Sequence, residues 1–316
     1  MILVTGAAGF IGFHLCKDLL SKGKRVIGID NLNDYYDVYL KRDRIKEIEL
    51  DSGFSFEQID ICDFVKLRDL FSSRKISYVC HLAAQVGVRY SLENPFPYQK
   101  SNLEGFLNVL EVCREFSIKN LVYASSSSIY GADPKIPFSE DEKSDRPISL
   151  YGATKRANEL MAHSYSHLYA IPTTGLRFFT VYGPWMRPDM ALFKFACKIQ
   201  KGEPIDVYGQ GKMKRNFTYI DDIIQGVVLA LEKPQPFALY NLGNDKTEIL
   251  EDYIRILETC LDKPATRNYL PQQPGDMAET WADLTKIRQD LGYEPTTNID
   301  VGIKEFVLWF QNYYSQ

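Results

Sequence analysis

Residues 2–12 read Ile-Leu-Val-Thr-Gly-Ala-Ala-Gly-Phe-Ile-Gly. The apolar start predicts a short buried strand, and the glycines that follow predict a turn. Apolar residues then recur at Ile11, Leu15 and Leu19, which is a helical period. A strand, a glycine-rich turn and a helix form the opening of a dinucleotide-binding unit, because the helix N-terminus offers amide donors to phosphates.

The glycines of this turn have separate predicted roles. Gly6 permits the tight turn, Gly9 lets the backbone approach a pyrophosphate, and Gly12 lets helix and strand pack closely. Their spacing is G-x-x-G-x-x-G, so the motif needs support from the residues that follow. The second predicted strand supplies it, since it ends at Asp30, 18 residues after Gly12. A carboxylate there accepts hydrogen bonds from both ribose hydroxyls and repels a 2′-phosphate, which favours NAD over NADP.

Strands and helices continue to alternate along the first 184 residues. Strands are predicted at 54–59, 78–84, 120–124 and 173–178, and one long helix at about 98–116. Asp60-Ile61 follows one strand and could meet the adenine amino group, and the small residues of Leu82-Ala83-Ala84 suit close passage of the cofactor. The Tyr-rich segment 31–44 receives no chemical role. The pattern predicts an α/β fold with a doubly wound parallel sheet.

A candidate acid/base pair follows the fifth strand. Tyr151 and Lys155 lie four residues apart and share one helix face. A phenol titrates at about 10, and a nearby cation lowers its pKa, which would make Tyr151 usable near neutral pH. The alternative is an ordinary pair on a helix surface. The serine run 125–128, at the carboxyl end of the preceding strand, favours a site.

Composition excludes several classes of function. Of the 316 residues, 45% are hydrophobic and 25% are charged, which is typical of a globular protein, and the net charge of −4 gives no reason to expect nucleic acid or an anionic membrane as partner. No apolar run is long enough to span a bilayer. The six cysteines are scattered and predict reduced thiols in a cytoplasmic protein. His163 and His167 lack further ligands, so no metal is expected.

These motifs together resemble the extended short-chain dehydrogenases/reductases, and within them the NAD-dependent nucleotide-sugar epimerases. The resemblance covers essentially the whole chain: the glycine motif, Asp30, the segment 126–130, Tyr151-x-x-x-Lys155 and the stretch 215–222 occur in the family's order. Segments 31–36, 85–91 and 177–185 are most similar to UDP-glucuronate 4-epimerases.

The resemblance implies a chemistry and a set of residues. Tyr151 would take the proton of the sugar O4 while hydride passes from C4 to NAD, Lys155 would bind the nicotinamide ribose, and Ser126 would hydrogen-bond O4. The 4-keto sugar would then turn and receive the hydride on its other face. The implied cofactor site comprises Gly6, Gly9, Phe10, Ile11, Gly12, Asp30, Asn31, Asp60, Ile61, Leu82, Ala83, Ala84, Tyr151 and Lys155. The implied UDP-sugar site comprises Val88, Arg89, Ser127, Ser128, Thr180, Arg187, Tyr208, Arg215, Gln273 and Asp276.

Departures from related patterns keep alternatives open. UDP-glucose epimerases carry Asn at the position of Thr180 and Arg at that of Gln273, and Trp185-Met186-Arg187 lacks a glycine that many relatives have. Ser127 and Ser128 stand where sugar dehydratases and UDP-glucuronate decarboxylases need carboxylates. We therefore expect epimerisation of UDP-glucuronate, with UDP-glucose or a UDP-N-acetylhexosamine as the alternative substrate. A binding protein without chemistry would normally have lost Tyr151 or Lys155.

Domain organisation and assembly are also predicted. We expect a dinucleotide-binding domain at 1–185, to which residues 219–243 return, and a smaller substrate domain at 186–316. The broad apolar surface of the helix at 98–116 predicts burial on two sides, and a homodimer through this helix and the one at 154–168 is also implied by the family.

Overall fold

The computed structural model describes residues 1–131, 135–271 and 277–314. Its strands are β1 (Ile2–Thr5), β2 (Val26–Asp30), β3 (Phe54–Gln58), β4 (Tyr78–His81), β5 (Asn120–Ser126), β6 (Thr173–Phe178), β7 (Thr180–Tyr182), β8 (Ile205–Tyr208), β9 (Lys214–Arg215), β10 (Phe217–Tyr219), β11 (Phe237–Leu242), β12 (Glu248–Ile249) and β13 (Arg267–Leu270).

The helices alternate with the strands in the first part of the chain and predominate after it. They are α1 (Phe10–Ser21), α2 (Val38–Lys46), α3 (Phe64–Ser73), α4 (Tyr90–Glu93), α5 (Phe96–Tyr98), α6 (Gly105–Glu115), α7 (Leu150–Tyr169), α8 (Ala191–Lys201), α9 (Ile220–Glu232), α10 (Leu250–Leu261), α11 (Thr285–Leu291) and α12 (Ile299–Tyr314). No helix in the described ranges combines the length and apolarity needed to cross a membrane.

Seven strands form one parallel sheet in the order β11-β6-β5-β4-β1-β2-β3. Successive side chains of a strand point to opposite faces. Leu3 accordingly joins a hydrophobic cluster with α3 and α6, while Ile2 and Val4 join the cluster with α1 and α9. The prediction of an α/β, doubly wound parallel sheet is therefore confirmed.

The strand order reverses between β1 and β4, and this reversal fixes where a ligand can bind. The chain leaves β1 toward β2 and β3, then returns to place β4 on the other side of β1. The connections therefore diverge and leave a crevice at the carboxyl ends of these two strands. Three short strand pairs, β7 with β10, β9 with β12 and β8 with β13, lie outside the large sheet.

The predicted helix at 98–116 is not a single α-helix. A π-helical segment, Gln99–Glu104, separates α5 from α6. In the single chain one side of this helix is buried, because Leu110 is fully buried and Leu107 is 41% exposed, so burial of the second side stays a prediction. The hydrophobic period alone does not distinguish an α-turn from the wider π-turn, and it does not show which of two apolar faces meets a neighbour.

Candidate active site

The glycine-rich turn packs directly against the end of β4. Gly6 has φ +73°, and a Cβ atom there would lie 2.8 Å from the backbone nitrogen of Ala83. Only glycine fits this close approach without strain. The turn therefore brings the N-terminus of α1 to the crevice, where its amide groups face a single cleft together with the small residues at 82–84.

Asp30, the last residue of β2, hydrogen-bonds the glycine-rich turn. Its Oδ2 accepts a hydrogen bond from the Ala8 amide at 3.2 Å, and its Oδ1 accepts one from the Leu32 amide at 2.8 Å. Burial raises the pKa of Asp30, while these two bonds and the charge of Lys41 act in the opposite direction. Asn31 donates to Asp60 at 3.0 Å, which ties the end of β2 to the residues that follow β3.

The catalytic candidates come from α7 and the end of β5. The Ser149 side chain caps α7 by accepting a hydrogen bond from the Gly152 amide at 3.0 Å, so Tyr151 lies in the first turn. Ser126 hydrogen-bonds the Tyr151 side chain. Lys155 is 2% exposed and donates from Nζ to the Ala124 carbonyl at 2.8 Å, which joins α7 to β5.

Burial governs the titration of both groups. It raises the pKa of Tyr151, against which the hydrogen bond with Ser126 and the charge of Arg187 act. Burial lowers the pKa of Lys155 to about 8. The groups that act on the Tyr151 phenol in this structure do not include Lys155, so the lowering of the pKa of Tyr151 by Lys155 stays a prediction. The sequence places the two side chains on one helix face but does not show that the ammonium is directed to a backbone carbonyl.

A buried ion pair lies behind the serine run. Arg177 donates from Nε and Nη2 to Glu159 at 2.9 and 3.0 Å, and both side chains are almost fully buried. Ser125 donates to the same carboxylate at 2.7 Å, and Arg177 donates to the Tyr130 hydroxyl at 2.9 Å. Such a pair is costly to break because one charge would remain uncompensated. It holds the two ends of segment 125–130 in place.

Asn102, in the π-helical segment, fixes the turn at residue 85. Its side chain accepts from the Gln85 amide at 2.8 Å and donates to the Gln85 carbonyl and to Thr154 at 3.0 Å each. Asn158 of α7 donates to the Asn102 carbonyl at 2.6 Å. Asn102 therefore joins the turn at residue 85 to the catalytic helix α7.

The cleft brings most of the predicted site residues together. Its lining includes every predicted cofactor residue except Asp60, which contacts Asn31, and it also includes Ser126, Ser127, Ser128, Val88, Thr180 and Arg187. Arg89 and Tyr208 pack against each other with the guanidinium 5.0 Å from the ring centroid, and neither they nor Arg215 belong to the cleft lining. Arg215 lies on β9 and donates to the carbonyls of Lys214 and Ala278. Gln273 and Asp276 lie outside the described residues.

Sequence reasoning missed one wall of the cleft, because segment 31–44 lines it. Asn33, Tyr35, Tyr36 and Lys41 belong to the lining. Lys41 donates to the Asn33 backbone and side-chain oxygens at 2.6 and 2.8 Å. Arg44, three residues further along the chain, is fully buried. Only the density of tyrosines and cations in this segment could have indicated a role.

Arg44 connects this wall to two other segments. It donates from Nη1 to the Ala8 carbonyl at 2.8 Å and to the Tyr36 hydroxyl at 2.7 Å, and from Nη2 to the Trp185 carbonyl at 2.6 Å. A guanidinium can do this because its donors point in fixed, diverging directions. The glycine-rich turn, segment 31–44 and the residues after Pro184 are therefore held as one unit.

The architecture and this cleft define an extended short-chain dehydrogenase/reductase. The chain matches the model of the NAD dependent epimerase/dehydratase family over residues 2–243. It is 48% identical to the UDP-glucuronate 4-epimerase of Thermodesulfobacterium geofontis, over 97% of this chain and 95% of that protein. It is 46% identical to UDP-glucuronate 4-epimerase 4 of Arabidopsis thaliana, over 99% of this chain and 76% of that protein. The crystal structure of UDP-glucuronic acid 4-epimerase from Bacillus cereus, in complex with UDP-glucuronic acid and NAD, matches with a TM-score of 0.92 and 38% identity over 99% of both chains.

The chain belongs to the NAD dependent epimerase/dehydratase family. The resemblance stated from the motifs is confirmed, and so is the prediction of NAD as cofactor. The residues of the cleft fit this dinucleotide, because Gly6 leaves room for close backbone approach, the α1 N-terminus suits a pyrophosphate and Asp30 suits ribose hydroxyls.

We expect Asp30→Ala to reduce the preference for NAD over NADP by about tenfold, because it removes charge-assisted hydrogen bonds to the ribose and the repulsion of a 2′-phosphate. Titration of both cofactors against the purified protein measures the ratio. Asp30→Asn keeps an acceptor for the Leu32 amide, so it tests whether the loop conformation alone sets the preference for NAD over NADP. Asp18→Ala, which removes a partly exposed carboxylate on α1 that pairs with Lys22, is the matched control. An unchanged ratio in Asp30→Ala would mean that another group selects the cofactor.

Proposed function

We propose that this protein interconverts UDP-glucuronate and UDP-galacturonate by NAD-dependent epimerisation at C4. The observation that carries the proposal is the composition of the cleft wall: Tyr151 and Ser126 lie beside Ser127, Ser128, Thr180 and Arg187. The first two provide acid/base chemistry, and the remaining four provide neutral donors and one cation for a carboxylate. The similarity to named UDP-glucuronate 4-epimerases supports the same substrate.

The acid/base step belongs to Tyr151. Its phenolate oxygen accepts the proton of the sugar O4 as hydride leaves C4, and the resulting hydroxyl returns this proton when the alcohol forms again. Ser126 hydrogen-bonds the phenol and opposes the larger effect of burial, which raises the pKa of Tyr151. Bound NAD would supply a reversible hydride acceptor for C4, so the overall reaction involves no net oxidation. Lys155 holds the nicotinamide ribose.

The carboxylate needs a separate restraint during the oxidised stage. Oxidation at C4 of a uronate produces a β-keto acid, which loses carbon dioxide when the bond to the carboxylate stands perpendicular to the carbonyl plane. Hydroxyl donors from two strand ends and a guanidinium can hold the carboxylate in another orientation. The absence of acidic side chains at positions 127 and 128 also removes the base that elimination of water would require.

The remaining predicted substrate residues are assigned to the UDP group. We propose that Tyr208 stacks on the base and that Arg215, Arg89, Gln273 and Asp276 contact the diphosphate and the ribose. In this division, residues 1–185 and 219–243 bind the cofactor, and the rest of residues 186–316, together with Arg89 of the first domain, binds the nucleotide of the substrate. The place of β11 beside β6 in the large sheet supports the return of the second segment.

Product analysis tests the proposed function. The purified protein with NAD is incubated with UDP-glucuronate, UDP-glucose and UDP-N-acetylglucosamine, and the sugar protons are followed by NMR. We expect conversion of UDP-glucuronate to UDP-galacturonate to exceed conversion of either neutral substrate. Faster conversion of a neutral sugar would replace the uronate assignment with the alternative.

We also propose that the protein is a homodimer. Helices α6 and α7 lie side by side and are joined by the Tyr165 hydroxyl, which donates to Glu111 at 2.5 Å. Their outer surface exposes Leu107, Leu160 and Leu168, with Leu168 at 66%. Exposed leucines on two neighbouring helices are typical of a subunit contact.

We expect Leu160→Glu to weaken self-association by at least about tenfold, because a charge would be buried in an apolar contact. Sedimentation velocity over a range of protein concentrations measures the change. Leu50→Glu, at a highly exposed position outside both helices, is the control and should leave the dimer intact. A monomeric parent protein at micromolar concentration would contradict the assembly.

The cytoplasm is the proposed location. All six cysteines are free thiols, which suits a reducing compartment. Fractionation of cells that express the protein would test this placement.

A further inference from the structure

Tyr35 connects three segments around the cleft. Its hydroxyl donates to Asp189 Oδ2 at 3.3 Å, and its ring centroid lies 4.9 Å from that of Tyr90. Gly87 has φ +103°, and a Cβ there would lie 2.7 Å from the Tyr35 hydroxyl. The segment after Asp30 therefore reaches across to the 87–90 turn on the substrate side and to the loop that carries Arg187.

Asp189 holds the guanidinium of Arg187 in a two-bonded pair. Nε donates to Oδ1 at 2.9 Å, and Nη2 donates to Oδ2 at 2.6 Å. The side chains are 20% and 26% exposed, so solvent screens the pair only partly. Burial acts to raise the pKa of Asp189, but the charge and hydrogen bonds of Arg187 outweigh it and hold the pKa below its usual range.

This pair changes what Arg187 can offer a substrate. A guanidinium has five N–H groups, and Asp189 accepts two of them. A second carboxylate must use N–H groups of Nη1 and Nη2 or displace Asp189. The negative charge of Asp189 also offsets the positive charge of Arg187, so an anionic ligand meets a weaker field than an isolated arginine would produce.

We propose that Asp189 is a positioning and specificity-determining residue, which fixes the Arg187 guanidinium toward the substrate carboxylate and limits how tightly that carboxylate binds. The inference rests on the proposed function, because it requires a uronate at Arg187. Tyr35 supports the same arrangement through its hydrogen bond to Asp189. If the pair only held the loop at 187–189 closed, a substitution of Asp189 would change the affinities for UDP-glucuronate, UDP-glucose and UDP equally or not at all.

The test compares charged and neutral substrates in Asp189→Asn. The amide keeps the shape and one acceptor but removes the charge. We expect affinity for UDP-glucuronate to rise by about fivefold, because the field of Arg187 is no longer offset, while affinities for UDP-glucose and UDP stay unchanged. We also expect a larger fraction of decarboxylated pentose nucleotide, since the guanidinium is held by fewer bonds. Calorimetry measures the affinities and NMR measures the products.

Two further variants separate positioning from folding. Asp189→Glu restores the charge and should return the affinity toward that of the parent protein. Tyr35→Phe removes only the hydroxyl, and we expect it to raise the pentose fraction with less effect on affinity. This variant also tests the proposal if Asp189→Asn does not fold. Asp252→Asn, which removes an exposed ion-paired carboxylate on α10, is the matched control.

Each outcome has a defined meaning. The role of Asp189 would be overturned if Asp189→Asn changed the affinities for UDP-glucuronate, UDP-glucose and UDP equally, or changed none of them. The proposed function would then still stand, provided that the parent enzyme epimerises the uronate. If Asp189→Asn does not fold, an unaltered pentose fraction in Tyr35→Phe overturns it. A parent protein that does not convert UDP-glucuronate would instead overturn the proposed function, and the inference with it.

Discussion

Tyr151→Phe should bind NAD as the parent protein does and lose turnover by roughly 10²-fold or more. The substitution removes the ionisable hydroxyl and keeps the ring, which lines the cleft. Tyr151 is the phenol beside Ser126 in the part of the cleft that the structure describes, so without its hydroxyl the chemical step lacks its acid/base while the cofactor contacts persist. Steady-state kinetics with UDP-glucuronate measure turnover, and fluorescence titration measures NAD binding.

A matched control exists on the same helix. Tyr165→Phe removes a hydroxyl that hydrogen-bonds Glu111 instead of facing the cleft, and it should keep turnover close to that of the parent protein. Nearly normal turnover in Tyr151→Phe would remove Tyr151 from the mechanism.

Arg187→Ala has the largest expected effect on substrate affinity. We expect it to weaken binding of UDP-glucuronate by up to about 2–4 kcal/mol while binding of UDP changes little. The loss includes the missing charge-assisted bonds to the substrate carboxylate, and Asp189 is then left in the cleft wall without its cation. Calorimetry with UDP-glucuronate, UDP-glucose and UDP separates the contribution of the carboxylate from that of the nucleotide.

The control for this experiment is a substitution of an arginine outside the cleft. Arg255→Ala removes an exposed guanidinium on α10 that pairs with Asp252 and should leave all three affinities unchanged. Equal weakening of UDP and UDP-glucuronate in Arg187→Ala would instead place this arginine at the nucleotide and leave the carboxylate to other groups.

The fold could be predicted because its determinants are local. A strand, a turn and a helix occupy consecutive residues in the unit that begins at Ile2, and the glycines and Asp30 occur at spacings set by that geometry. The hydrophobic alternation then orders the following units into one sheet. The catalytic pair was accessible for the same reason, since Tyr151 and Lys155 are one helical turn apart.

Other parts of the site depend on contacts between distant residues. Tyr35 meets Asp189 across 154 positions, and Arg44 meets Trp185 across 141. Nothing in the local pattern of segment 31–44 encodes these partners, so its role as a cleft wall could not be derived. The direction of the pKa shift of Tyr151 could not be derived from the sequence for a similar reason, because burial depends on the whole surrounding structure and not on the neighbouring lysine alone.

The π-helical segment lets one helix carry an additional residue without changing which faces are buried. A π-turn takes up about one residue more than an α-turn, so deleting one residue within Gln99–Glu104 would return this turn to α geometry while the residues after it keep their faces. Leu110 would then stay in the core, but Asn102 could not contact Gln85 and Asn158 together. A deletion in this segment should accordingly remove the anchor of the turn at residue 85 and leave the core contacts of α6 in place.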